Sequence, residues 1–187
     1  MYVQPDGSVS LASGIIDMGQ GARTAMAQIA AEVLGLPLTR VHFQEPDSGR
    51  VADSGATVAS RGTIMGGGAM KIAAENVRKI MENTAREKFK LSKGDIVFKN
   101  ENIFIRKNKS EKKICSFDTL VEACYQAGRP LFASGVRNIA VTSWDEETGQ
   151  GNAYFTFVYG TNIAEVEVDL ASGKVNVTRF LSTHDVG

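Results

Sequence analysis

The sequence predicts an α+β fold in which about three helices form one layer against a mixed or antiparallel sheet. Three observations predict it. Apolar residues recur at intervals of three and four in separate stretches, around Met26–Leu34, Met70–Met81 and Phe117–Cys124. The chain after Leu131 is instead rich in short alternating or β-branched runs. Its 187 residues, 43% apolar and 22% charged, have ordinary globular composition and are enough to bury a core without staples.

Each element has its own local reason. A Pro5-Asp6-Gly7 turn leads into a strand within Gly7–Ile16, carried by Val9, Leu11, Ile15 and Ile16. Asp17-Met18-Gly19-Gln20-Gly21 is too glycine-rich for a regular element. A helix from about Arg23 to Leu34 has its apolar positions at Met26, Ile29, Ala30, Val33 and Leu34; Gly35 stops it and Pro37 forbids continuation. Val41–Gln44 is a short strand. Asp47–Thr63 is a loop of small polar residues, long for a compact domain and therefore read as ordered and functional.

A second helix runs from about Met65 to Phe89. Ile96-Val97-Phe98 and Ile103-Phe104-Ile105 are joined by Lys99-Asn100-Glu101-Asn102, a hairpin signal. Arg86–Lys113 holds ten basic and four acidic residues, net +6 against −6 for the rest. A solvated hairpin rim accounts for that charge more simply than an anion-binding surface does. Ser116 caps a third helix, with Asp118 in its first turn, and Gly128 and Pro130 end it. Ala153–Tyr159, Ile163–Leu170 and Lys174–Ser182 read as strands, with Ala171-Ser172-Gly173 as the tight turn between the last two. Ser143–Asn152 reads as a loop. The organisation expected is a glycine-loop and helix half over 1–90, a basic hairpin over 91–115, and a helix plus strand-rich part over 116–187.

Composition excludes several functions. Lys+Arg and Asp+Glu are 21 each, so no global field draws nucleic acid or an anionic membrane. Two cysteines, Cys115 and Cys124, cannot form a disulfide framework or supply the roughly four ligands of an iron–sulfur cluster. No apolar run reaches the roughly 18–20 residues of a membrane span, and no leader peptide is visible, so a cytoplasmic location is expected. His42 and His184 have no zinc spacing. No Ser-His-Asp pattern supports a serine hydrolase. The triplets Asn108-Lys109-Ser110 and Asn176-Val177-Thr178 mean nothing without a secretory signal.

Two places can hold a ligand. Gly19-Gln20-Gly21 precedes a helix, so backbone can approach closely and a Gln amide offers both a donor and an acceptor. It is neither a dinucleotide fingerprint, since Thr24 stands at the third glycine, nor a P-loop. Ala59-Ser60-Arg61-Gly62-Thr63, followed by Gly66-Gly67-Gly68, again runs into a helix start. It brings hydroxyls, a guanidinium and backbone N–H groups; the competing reading is a plain helix N-cap at Thr63 with glycines placed for close packing. In a two-layer fold both helix starts can open on one sheet edge, where a single extended polar cofactor bridges them.

These blocks resemble a known family. Asp17-Met18-Gly19-Gln20-Gly21 with the helix ending Leu34-Gly35-Leu36-Pro37 is similar to a hallmark of the xanthine dehydrogenase/aldehyde oxidase family of molybdenum hydroxylases. Asp53–Thr63 ending in Gly67-Gly68-Ala69 is similar to that family's second cofactor loop. Asn152-Ala153-Tyr154, Tyr159-Gly160, Glu165–Asp169 and Ser172-Gly173 resemble a third block, and Asp185-Val186-Gly187 the opening of a fourth. The resemblance covers nearly the whole chain.

It implies a piece of the molybdopterin-binding domain of a large subunit. The cofactor is molybdenum–molybdopterin, often in bacteria the cytosine dinucleotide form, with Gly19, Gln20, Gly21, Ala59, Ser60, Arg61, Gly62 and Thr63 as the cofactor-binding residues. It implies hydroxylation of a heteroaromatic or aldehyde carbon using water, with a glutamate as general base. Iron–sulfur centres and flavin are expected on other domains or subunits. The family's Gly-Val-Gly-Glu-like motif does not occur here, so no catalytic residue is assigned and the chain alone is expected to be inactive. Its partners are then the rest of the subunit and a small-molecule substrate, and exposed apolar surface favours self-association. The alternative is a non-enzymatic module for storage or insertion of molybdopterin.

Overall fold

The computed structural model describes residues 1–91, 93–108, 110–138, 143–154 and 156–185. They fall into two compact units, Met1–Asn138 and Ile139–Gly187. Some expectations touch residues outside this set: Lys109 of one glycosylation triplet, Phe155 of the strand expected over 153–159, and Val186-Gly187 of the fourth block.

The first unit opens with β1 (Tyr2–Val3) and β2 (Val9–Leu11), paired antiparallel with Val3 opposite Val9. β2 pairs parallel with β3 (Val41–Phe43), Leu11 opposite Phe43. A parallel pair needs a crossover, and α1 (Ala22–Leu34) supplies it. β2 is shorter than the strand expected over Gly7–Ile16 because its ladder ends at Leu11, where the glycine-rich segment begins. Met26, Ala30 and Leu34 of α1 are buried against Val9 and Leu11 in one core. Gly35 ends α1 at φ 65°, and the Leu36 N–H returns to the Ala31 carbonyl at 2.9 Å. A Cβ at Gly35 would lie 2.4 Å from the Phe98 carbonyl carbon, so only glycine fits.

α2 (Gly68–Lys88) buries Met70, Ala73, Ala74, Val77, Met81 and Ala85. Its Arg78 donates to the carbonyls of Val33 at 3.2 Å and Ile96 at 2.9 Å, and lies 4.9 Å from the Phe98 ring centroid. That one side chain ties α1, α2 and the following sheet together. The expected hairpin is present as β4 (Asp95–Lys99) and β5 (Asn102–Lys107). Asn100 and Glu101 at its tip have φ of 49° and 58°, as a two-residue hairpin turn requires. A third antiparallel strand, β6 (Ser110–Ser116), extends it. Ser116 caps α3 (Phe117–Gln126), its Oγ accepting the Thr119 N–H at 3.1 Å. Phe117, Leu120, Val121 and Cys124 close the core.

The second unit contains two hairpins. β7 (Ser143–Asp145) pairs with β8 (Gln150–Asn152). This corrects the loop expected there: Asp145 Oδ1 accepts the Glu147 N–H at 2.9 Å and folds the turn. β9 (Tyr159–Val168) pairs with β10 (Val175–Asp185) through a turn in which Asp169 accepts the Ala171 N–H at 2.9 Å and Gly173 adopts φ 71°. The expected strand over Ala153–Tyr159 is absent among the described residues before Tyr159, where no ladder partner is available. The pairing slips between Val177 and Arg179, so one extra residue, Thr178, is absorbed. Val175, Val177 and Phe180 therefore pair with Val168, Val166 and Ala164 and share one face.

Candidate functional site

The site begins where β2 ends. Ile15 anchors the descending chain in the core, and the next residues turn on themselves. Asp17 organises this turn. Its Oδ1 accepts the N–H of Gly19 at 2.9 Å and of Gly21 at 3.3 Å, while Oδ2 accepts the N–H of Arg23 at 3.0 Å. These N–H groups, the Arg23 one first, hold the carboxyl below the usual carboxylate range. Asp17 thereby satisfies a donor in the first turn of α1, which Gly21 leaves without a side-chain cap. Gly19 and Gly21 sit at φ 105° and 76° with open space where a Cβ would be, so glycine is needed here for conformation and not for room.

Gln20 lies between them. Its Nε2 donates to the Ile16 carbonyl at 2.9 Å, and its Oε1 accepts the Met18 N–H at 2.6 Å. The amide is thus locked to its own loop, with one N–H and one acceptor lone pair still available.

The second loop reaches the first by a close backbone approach: a Cβ at Gly14 would lie 2.7 Å from the Ala52 carbonyl oxygen. Thr57 Oγ1 accepts the Ile16 N–H at 3.0 Å, across 41 residues of sequence. Ala59 follows at φ 46°, a left-handed conformation that costs an L-residue energy. Ala59–Arg61 form one 3₁₀ turn, and Gly62–Gly67 form a π-helical stretch that runs into α2. Thr63 lies inside this stretch, and no side chain caps either turn, so the N-cap reading of Thr63 does not hold. Cβ atoms at Gly66 and Gly67 would lie 2.7 Å from Ile15 and 2.8 Å from Ile29, so these glycines let the π-helical stretch press onto the first loop and α1.

Between the loops is a cavity of 570 Å³ lined by Gln20, Thr57, Ala59, Ser60, Gly62 and Thr63, with Met18, Ala22, Val58 and Ile64. Of the residues singled out in the sequence, Gln20, Ala59, Ser60, Gly62 and Thr63 therefore meet. Gly19 and Gly21 shape the loop that carries Gln20. Arg61 points elsewhere: its guanidinium donates to the Ser54 carbonyl within its own loop. Asp17 and Thr57 act through backbone N–H groups, and their signal in the sequence was only an Asx-like spacing and a lone hydroxyl. A concavity of 630 Å³ lies between Gly35–Pro37 and Val97–Glu101, where the Glu101 N–H already bonds the Gly35 carbonyl at 2.8 Å.

Of the other reactive groups, the two cysteines are packing residues and the two histidines are exposed. Cys115 and Cys124 are buried, and burial pushes both thiols up. His42 lies on β3, and His184 Nε2 is 2.7 Å from Ser182 Oγ on β10. Among the described residues no cluster of His, Cys, Asp or Glu could hold a metal ion, and no helix is long and apolar enough to cross a membrane.

Known proteins resemble this chain along its whole length. The family described as "Molybdopterin cofactor-binding domain" matches residues 1–187. Xanthine dehydrogenase 1 of Arabidopsis thaliana is 31% identical over 173 residues, 92% of this chain and 11% of that protein. Xanthine dehydrogenase/oxidase of Mus musculus is 29% identical over 187 residues, 100% of this chain and 12% of that protein. The structure of quinoline 2-oxidoreductase from Pseudomonas putida 86 matches with TM-score 0.74 and 26% identity, covering 100% of this chain and 23% of that one. The chain belongs to the molybdopterin cofactor-binding domain family of the xanthine dehydrogenase and aldehyde oxidase group. It spans 11% and 12% of the length of these two curated relatives. Molybdenum–molybdopterin is the cofactor of this family.

Proposed function

We propose that this chain holds the molybdenum–pterin cofactor of a hydroxylase subunit between Gly19-Gln20-Gly21 and Ala59–Thr63. The observation that carries the reading is the common cavity of Gln20, Ala59, Ser60, Gly62 and Thr63. Its donor set fits such a group. An amide and the hydroxyls of Thr57, Ser60 and Thr63 offer directional bonds to a polar ring, and Met18, Val58 and Ile64 offer apolar contact to its faces. The volume is that of a small-molecule site, roughly 300–1,000 Å³.

When bound, the cofactor supplies the redox chemistry that hydroxylates a heteroaromatic or aldehyde carbon using water. The residues of this chain bind and orient it. No carboxylate lines the cavity among the described residues, so the general base is assigned to another part of the complete enzyme. Iron–sulfur and flavin centres belong, on this reading, to other domains or subunits, and the complete protein works in the cytoplasm. Arg61 contributes by holding the second loop in shape. The chain alone is then a binding platform without turnover.

A second reading, a non-enzymatic module that stores or inserts molybdopterin, is favoured by one fact: every residue lining the cavity belongs to the unit Met1–Asn138. Molybdenum content and pterin fluorescence after acid oxidation test both, on chain made in a molybdate-replete host that synthesises the cofactor. Retention by the wild-type chain, lost in Gln20→Ala, supports the site, and retention without oxidoreductase activity in any assembled complex favours the module. Equal content in wild type and Gln20→Ala rejects the site.

A further inference from the structure

We infer that Asp17 is the positioning residue of the first loop: its carboxylate fixes the backbone frame in which the Gln20 amide faces the cavity. The inference rests on the reading of that cavity as the ligand site. It deepens it by naming the residue through which Gln20 acts.

Asp17 grips both neighbours of Gln20. It accepts the N–H of Gly19 on one side and of Gly21 on the other, and reaches past them to the N–H of Arg23 in α1. Gly19 and Gly21 carry left-handed φ values that an unrestrained glycine leaves freely. Among the described residues no backbone carbonyl accepts either N–H, so the carboxylate is what holds them. The Gln20 side chain depends on the same frame. Its two bonds, to the Ile16 carbonyl and the Met18 N–H, exist only while the loop keeps this curvature. With both made, the planar amide directs its remaining N–H and lone pair in one fixed direction. Asp17 itself does not line the cavity. It acts through Gln20, at a site where preorganisation spares the ligand the cost of ordering the loop.

The test uses the full chain with Asp17→Ala, Asp17→Asn, Gln20→Ala and the Asp17→Ala/Gln20→Ala double variant. Nuclear magnetic resonance reads the Gln20 side-chain amide protons and hydrogen exchange at Gly19 and Gly21, and thermal melting reports the global fold. The expected result is that Asp17→Ala speeds exchange at Gly19 and Gly21 by about tenfold or more and collapses the Gln20 amide shifts to free-glutamine values. The melting transition stays cooperative, and Asp17→Asn, which keeps one acceptor, falls between. Unchanged Gln20 amide shifts in Asp17→Ala overturn the proposal whatever the cofactor content. Molybdenum and pterin content is read on the same proteins. If Asp17 acts through Gln20, the double variant loses no more cofactor than Gln20→Ala alone, and independent multiplicative losses overturn that route. A wild-type chain with the ordered Gln20 amide but no molybdenum supports the positioning role and counts against the cavity reading instead.

Discussion

The Ile16 N–H donates to Thr57 Oγ1 at 3.0 Å, and this bond joins the two glycine-rich loops. It places the start of the second loop beside Gln20 before any ligand is present. Both loops can then be ordered as one surface, and a ligand that touches both need not assemble them. Thr57→Val keeps the shape and removes the acceptor. The loss is expected to be about 1 kcal/mol, with faster hydrogen exchange at Ile16 and lower cofactor retention, whereas Thr57→Ser keeps all three near wild type. Amide exchange and molybdenum content on the two variants decide this.

Ser60→Ala with Thr63→Ala removes two hydroxyls from the cavity wall. Neither residue is part of the hydrophobic core, so the double variant is expected to unfold near the wild-type urea midpoint while holding less cofactor. Full molybdenum content in the folded variant would sink the role given to these hydroxyls.

The Asp17 carboxyl titrates below the usual value of 3.8 when folded. A depressed carboxyl stabilises the fold above its unfolded pKa and loses that contribution as pH falls through the folded value. Asp17→Ala is therefore expected to be less stable than wild type at about pH 6, with the gap narrowing as pH is lowered toward about pH 2. Asp6, Asp145, Asp169 and Glu87 are also depressed, but they are present in both proteins and cancel in the difference. Urea unfolding of the pair at the two pH values measures it.

Gly35→Ala confronts both a left-handed φ and a Cβ placed 2.4 Å from the Phe98 carbonyl carbon. The conformational cost alone is about 1–2 kcal/mol, and the clash with backbone adds to it. A lower urea midpoint with unchanged slope is expected. An unchanged midpoint would show that the α1 end and the β4–β5 hairpin can separate freely.

Ala164, Val166, Val168, Val175, Val177 and Phe180 share a face of the β9–β10 hairpin, and Val166 and Phe180 are 51% and 63% exposed. A hairpin with such an apolar face tends to associate. Elution of the chain is expected to shift toward larger species as concentration rises, and Phe180→Lys is expected to reverse the shift. Monomeric elution throughout would remove self-association.

Much of the core was legible. The three- and four-residue spacing in α1, α2 and α3 reports a burial stripe, and Gly35, Ser116 and Asn100 signal their turns by local backbone chemistry. β6 was not legible, because Ser110–Lys113 are exposed and polar and only pairing with β5 makes them a strand. β7 and β8 hid for the same reason. Ala153, Tyr154 and residues 156–158 misled in the other direction: among the described residues these β-favouring positions have no ladder partner and make no strand. In the candidate site Gln20 and Ser60 stood out because their side chains are polar beside glycine. Asp17 and Thr57 did not, because what they do is accept backbone N–H groups. The turn of Arg61 toward Ser54 is a tertiary fact that no spacing encodes.

The bulge at Thr178 has a consequence for which lengths of β10 are permissible. Thr178 Oγ1 donates to the Glu165 carbonyl at 3.1 Å, but the residue itself has no partner across the ladder. Removing it leaves every cross-strand pair from Val175 to Asp185 as it stands. Removing Val177 or Arg179 instead lets Thr178 take the vacated place opposite Val166 or Glu165, so the later pairs stand but one cross-strand side chain is exchanged. The strand therefore carries one residue in reserve, and an ancestral or engineered chain one residue shorter keeps every present pair when the loss falls at Thr178.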